Sequence, residues 1–187
     1  MNPSDPRANR SRQALMEAGI EALLQNPSAS LTEIATLAGV GRATLYRHFQ
    51  TREQLIQELA RESLELTDAA REPIKAQGLK GREGIEAMLY AIMPFADRFH
   101  FLFSLWNIAE DDPSVIAIYE QQLEELAELV EQGKQAGSIN TELTTSWIVT
   151  SIDSLIYAGS WMVRSGECDA QTAAKSAVQT LFGGIGV

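Results

Sequence analysis

The chain has 187 residues, 45% of them hydrophobic and 21% charged, with a formal net charge of −10, a composition that fits a folded globular protein rather than a disordered one. No apolar run approaches the roughly 18 residues needed to cross a bilayer, and the start, "MNPSDPRANR", lacks the apolar core of a secretory signal, so a cytoplasmic protein without membrane contact is expected. Cys168 is the single cysteine and His48 and His100 the only histidines, which excludes an intrachain disulfide and argues against a zinc centre; no cofactor is expected.

Helical periodicity runs through nearly the whole chain without an alternating strand pattern, predicting an all-α fold of about nine helices. Leu15, Ala18, Ala22 and Leu23 mark a first helix that "NPSAS" stops. Ser30 and Glu33 have the spacing of a capping box opening a short second helix. Gly39 ends it, because glycine takes the left-handed conformation without steric penalty, and a third short helix runs from Arg42 to about Phe49. Thr51 and Gln54 repeat the capping-box spacing at the head of a long fourth helix, which "AQGLKGREG" breaks at an apparent hinge.

Beyond the hinge, "GIEAMLYAIMPFADRF" reads as one helix and "HFLFSLWNIA" as another, the latter apolar all round. In "DDPSV", Asp112 suits a cap and Pro113 the first helical position of the next helix. Two more helices, in "TELTTSWIVTSIDSLIYAGSWMVRSG" and "DAQTAAKSAVQTLFGG", close the chain.

The second and third helices have the makings of a helix-turn-helix. Ala35 is small where two helices cross, Gly39 supplies the turn, and Val40 and Leu45 point inward. The second helix of such a unit presents its N-terminal residues to base edges in a major groove, here Arg42, Ala43, Thr44 and Arg47. Charge agrees. Residues 1–52 carry six arginines and four acids, for +2, and the remainder carries −12, so the N-terminal quarter is the part that suits a polyanion.

The stretch "LTEIATLAGVGRATLYRHFQTREQLI" resembles the DNA-binding head of the tetracycline-repressor (TetR) family of transcriptional regulators, through Gly39, Val40, Leu45, Tyr46, His48 and Phe49. Two positions depart from the family's usual pattern: Gly41 stands where serine is usual and Arg52 where lysine is. The resemblance implies a helix-turn-helix DNA-binding domain over residues 1–52 and a helical ligand-binding and dimerisation domain over residues 53–187. It further implies phosphate contacts from Tyr46 and His48, joined by Thr32 at the start of the second helix and Thr51 at the next cap, with Arg52 keeping a positive charge near the DNA backbone. Arg42 and Arg47 suit either guanine or phosphate, and Thr44 either a thymine methyl or a phosphate. Arg7, Arg10 and Arg12 are candidates for an arm reaching a minor groove or flanking phosphates.

Residues 80–187 hold all three tryptophans and five of the six phenylalanines. Aromatics at helical spacing suit a plain core. The resemblance adds a small-molecule inducer enclosed in this body, with Met88, Ile92, Phe95, Phe99, Phe103, Trp106, Trp147 and Tyr157 as its expected lining. Asp153 lies within a mostly apolar helix and, if buried, needs a partner: a cationic or hydrogen-bonding ligand, a network at a dimer seam, or solvent. An acidic, aromatic interior favours lipophilic cations. The last two helices carry small and apolar residues on more than one face, so one face is expected to meet a second copy in a four-helix seam. A homodimer places two reading helices about 34–36 Å apart, the spacing of a palindrome one DNA turn long.

The expected function is thus a regulator, most simply a repressor, on a double-stranded DNA operator and released by an inducer. An enzyme built on the pocket is the rival from another class, but no nucleophile–base pair, phosphate loop or metal cluster supports it. A helical interaction module whose head lacks DNA affinity is the second alternative.

Overall fold

The computed structural model describes residues 6–185, and among these nine α-helices and one 3₁₀ turn occur with no strand. The helices are α1 (Pro6–Gln25), α2 (Leu31–Leu37), α3 (Arg42–His48), α4 (Arg52–Gln77), α5 (Gly81–Ile92), α6 (Ala96–Ala109), α7 (Pro113–Gln135), α8 (Thr145–Arg164) and α9 (Ala170–Gly183). No helix among the described residues is long and apolar enough to cross a membrane.

Local chemistry sets the N-terminal boundaries. The Ser30 hydroxyl accepts from Glu33 N at 3.3 Å while the Glu33 carboxylate accepts from Ser30 N at 2.7 Å, a complete capping box. Gly39 turns the chain at φ 64°, which a side chain would strain, and Gly41 caps α3 without a side-chain bond. At α4, Thr51 Oγ1 accepts from Gln54 N at 3.1 Å, but the Gln54 side chain reaches past the cap to Gln50 N at 2.8 Å. The expected reciprocal box is displaced by one residue.

The reading of residues 84–99 as one helix needs correction. Pro94 lacks an N–H and cannot continue the α-helical ladder, so α5 stops at Ile92, Met93–Phe95 forms a 3₁₀ turn, and α6 starts at Ala96. The hinge is also narrower than "AQGLKGREG", since α4 runs to Gln77 and α5 starts at Gly81. Gly81 packs so closely on α7 that an added Cβ would lie 2.9 Å from Gly133 Cα.

The interior falls into two apolar clusters. One joins α1 to α4 with Phe101, Leu102, Leu105 and Ala109 of α6 and Val115 of α7. The other joins α5, α7, α8 and α9. The helix-turn-helix therefore rests on the first half of α4, through Leu55, Ile56 and Leu59, and on α6. Arg164 at the end of α8 adds a polar tie: its Nη2 donates to Leu24 O of α1 at 2.7 Å, and its Nη1 lies 3.6 Å from Asp97 of α6.

Candidate functional site

Two places concentrate polar groups that folding alone does not require: the outer face of α3 and a cavity in the helical body. On α3, Leu45 is wholly buried and Phe49, its C-cap, nearly so, which fixes the helix by one side. The opposite side carries Arg42, Tyr46 and Arg47, all exposed, with Thr44 at its edge. Residues three and four apart share a helix face: the Arg42 guanidinium lies 6.0 Å from the Tyr46 ring centroid, and Arg47 Nη2 donates to Thr44 Oγ1 at 2.9 Å. Both arginines are presented to solvent with no acid paired to them in an ion pair among the described residues.

The remaining head residues lie around this face in differing states. Thr32, on the first turn of α2, and Thr51, the α4 cap, are exposed. His48 is half-buried, with Nε2 3.2 Å from Ser11 Oγ of α1. Burial, then the nearby Arg47 and Arg12 charges, hold its imidazole below the usual range. Arg52 is turned inward instead of outward: Nε donates to Ala29 O at 2.9 Å and Nη2 to Pro27 O, so its guanidinium closes the α1–α2 loop. Arg7, Arg10 and Arg12 belong to α1 rather than to an extended arm. Arg10 is exposed with Nε bonded to Pro6 O at 3.1 Å, while Arg12 pairs with Glu58 of α4 at 2.7 Å.

The cavity, of about 340 Å³, lies between α4, α5, α6, α7 and α8. Met88, Ile92, Phe99, Phe103, Trp106 and Asp153 line it. Phe95, Trp147 and Tyr157 do not. Phe95 falls in the 3₁₀ turn that Pro94 imposes. Trp147 and Tyr157 sit on the outward face of α8, 63% and 38% exposed, Tyr157 stacking on His100 and meeting Phe103 at a tilt of 59°. The sequence reading missed the contribution of α4 (Leu64, Thr67, Arg71) and that of α7 (Tyr119, Gln122, Leu123, Leu126), together with Leu102 and Ile156. A signal existed: Tyr119, Gln122, Leu123 and Leu126 make an i, i+3, i+4, i+7 stripe, with two polar side chains on an inward face.

Electrostatics in the cavity are uneven. Tyr119 Oη donates to Asp153 Oδ2 at 3.3 Å; burial raises the Asp153 carboxyl above the ordinary carboxylate range, and burial next to that carboxylate lifts Tyr119 to about 12. Arg71, 8% exposed, pairs with Asp68 and lies 3.4 Å from Glu125, which Lys75 also reaches at 3.0 Å. Its Nε is buried without a hydrogen-bond partner. Gln122 Nε2 donates to Leu64 O at 3.0 Å, tying α7 to α4 beside the cavity. Among the described residues no group of His, Cys, Asp and Glu could hold a metal ion.

Residues 12–59 match the profile of bacterial regulatory proteins of the tetR family. The HTH-type transcriptional repressor LfrR of Mycolicibacterium smegmatis is 41% identical over 61 residues, which are 33% of this chain and 32% of that repressor, so the match spans about a third of the relative's length. Over whole chains, the crystal structure of the TetR-like regulator LfrR from Mycobacterium smegmatis in complex with proflavine superposes with a TM-score of 0.78 at 23% identity, covering 96% of this chain and 98% of that one. The regulator FadR from Bacillus subtilis in complex with stearoyl-CoA gives 0.72 at 19% identity, covering 94% and 100%. At such identities the likeness of the bodies is one of fold.

Proposed function

From the match of residues 12–59 to the tetR-family profile and the whole-chain likeness in fold, we propose that this chain is a transcriptional repressor of that family, which grips palindromic operator DNA as a homodimer and lets go when a small molecule fills the cavity. The observation that carries the reading is the two-sided α3, with Leu45 and Phe49 sunk in the head and Arg42, Tyr46 and Arg47 presented together on the outside. Arg42 and Arg47 supply base or phosphate contacts in the major groove, Thr44 a base-edge or phosphate contact, and Thr32, Thr51, Tyr46 and His48 clamp the backbone on either side. Arg10 extends the positive rim along α1. Arg52 acts at one remove, by closing the α1–α2 loop that carries α2.

Residues 1–52 serve as the reading domain and residues 53–187 as the sensing and pairing domain. The exposed Trp147, Trp161 and Met162 of α8, with α9 alongside, form the surface that meets a second copy. Operator release is a shift of population, driven only by the ligand's differential affinity for two arrangements. Two helices suit the task. Leu102 of α6 both lines the cavity and belongs to the head's apolar cluster, and α4 contributes Leu55 and Leu59 to the head and Leu64, Thr67 and Arg71 to the cavity. The neighbours that hold proflavine and stearoyl-CoA support a sensing role for a body of this shape.

The test is footprinting on DNA upstream of the protein's own coding region, followed by fluorescence anisotropy across a salt series. A protected inverted repeat whose affinity falls steeply with salt is expected, since phosphate contacts release counterions. Protein that stays monomeric in light scattering, or binds no such DNA at low salt, defeats the reading.

A further inference from the structure

The two ionic side chains on the cavity wall differ in what already satisfies them. Asp153 takes one hydrogen bond among the described residues, a long one of 3.3 Å from Tyr119 Oη. It wants a donor, and a cationic donor most. Arg71 is the converse. Asp68 and Glu125 already answer its charge, yet its buried Nε–H has no acceptor. An anion brought to this end would meet those two carboxylates, whereas a neutral carbonyl or amide oxygen would complete the donor without adding charge.

The ends are also separated. Tyr119 holds one and Glu125 the other, six residues apart on α7, which at about 1.5 Å of rise per residue places them about 9 Å apart along the helix. The rest of the wall is mostly apolar, with Met88, Leu123 and Leu126 and the rings of Phe99, Phe103 and Trp106 outnumbering the polar Thr67 and Gln122, whose amide already donates to Leu64 O. The two charged residues that line the cavity, Arg71 and Asp153, cancel. A lipophilic cation alone therefore answers only half the site.

We infer that the cavity selects a bipolar ligand: a rigid apolar or aromatic body with an amine at one end for Asp153 and a neutral carbonyl-type acceptor at the other, about 9 Å away, for Arg71. The inference rests on the reading of this cavity as the ligand site.

Calorimetry on the full chain with three matched probes tests it: a biphenyl bearing an aminomethyl group, one bearing a carboxamide, and one bearing both at opposite ends. The bifunctional probe should bind at least about tenfold more tightly than either other. Arg71→Lys, which keeps the charge beside Asp68 and Glu125 but removes the Nε–H, should bring it level with the amine probe, and Asp153→Asn should bring it towards the carboxamide probe. The inference is overturned if the bifunctional probe has no advantage, if the advantage survives Arg71→Lys, or if none of the three binds up to about 1 mM. Ligand control is read separately, by anisotropy on operator DNA. An amine probe that binds and releases DNA as well as the bifunctional one overturns the bipolar site and leaves ligand control standing. Tight, Arg71-dependent binding of the bifunctional probe that leaves the DNA complex intact does the reverse.

Discussion

Arg47 on α3 and Arg71 on α4 are the same side chain in opposite settings. Arg47 is exposed, its single hydrogen bond running to Thr44 on its own helix, and water screens its charge. Arg71 is buried between carboxylates from two helices. The first arginine is held loosely and can be recruited by a partner, and the second is part of what keeps α4 against α7. The outer face of α3 and the cavity thus set their cations differently: one is left to solvent, the other is locked into packing.

Substitutions can break that contrast. The largest expected effect is from Arg71→Ala, which leaves the Asp68 carboxylate unpaired and Glu125 with Lys75 alone and should cost about 3 kcal/mol of stability, read as a fall of the thermal midpoint by roughly 2–4 °C per kcal/mol. Arg47→Ala comes next and should act on DNA alone, weakening operator binding by about 1–3 kcal/mol while leaving stability within about 0.5 kcal/mol of the parent. Its salt dependence sharpens the assignment, because loss of a phosphate contact lowers the slope by about one and weakens all sequences alike. If both arginines moved the melting midpoint equally, the contrast would fail.

A smaller effect belongs to Ser30→Ala. It removes the hydroxyl that accepts from Glu33 N and should cost about 1 kcal/mol, seen in chemical denaturation as a lower midpoint with an unchanged slope. The smallest effect concerns His48. Its pKa is lowered in the folded head by burial and by Arg47 and Arg12, so the unfolded chain binds the proton first, and stability falls as pH drops below about 6.5 and through the folded value. DNA phosphate reverses the sign for binding, so operator affinity should rise over the same interval. His48→Gln should flatten the affinity profile, while a stability slope from His100, whose pKa is lowered chiefly by burial as well, remains.

Much of the head was legible in the sequence because its signals are local. Ser30 and Glu33 sit three apart and bond directly, Gly39 takes the left-handed turn that only its position demanded, and Leu45 and Phe49 are neighbours on one buried side. Arg52 escaped because its partners, Pro27 and Ala29, are more than twenty residues earlier in the chain. The cavity was legible where an apolar stripe faced inward, as at Met88, Ile92, Phe99 and Trp106, and also at Phe103, which lines it although 39% exposed. Trp147 and Tyr157 misled because α8 is apolar on its outward face too, and a helical period does not say which side is the core. Tyr119 meets Asp153, and Arg71 meets Glu125, only across helices, through a packing register that no local spacing encodes.

The apolar cluster beneath α1 to α3 is completed by Leu55, Ile56 and Leu59 of α4 and by Phe101 and Leu105 of α6. A fragment cut after residue 52 would keep every side chain proposed to face DNA and still lose the ground it stands on. Chimeric regulators that borrow this operator preference should therefore transplant α4 and its α6 partner along with the first three helices, or repack the recipient's surface to replace them.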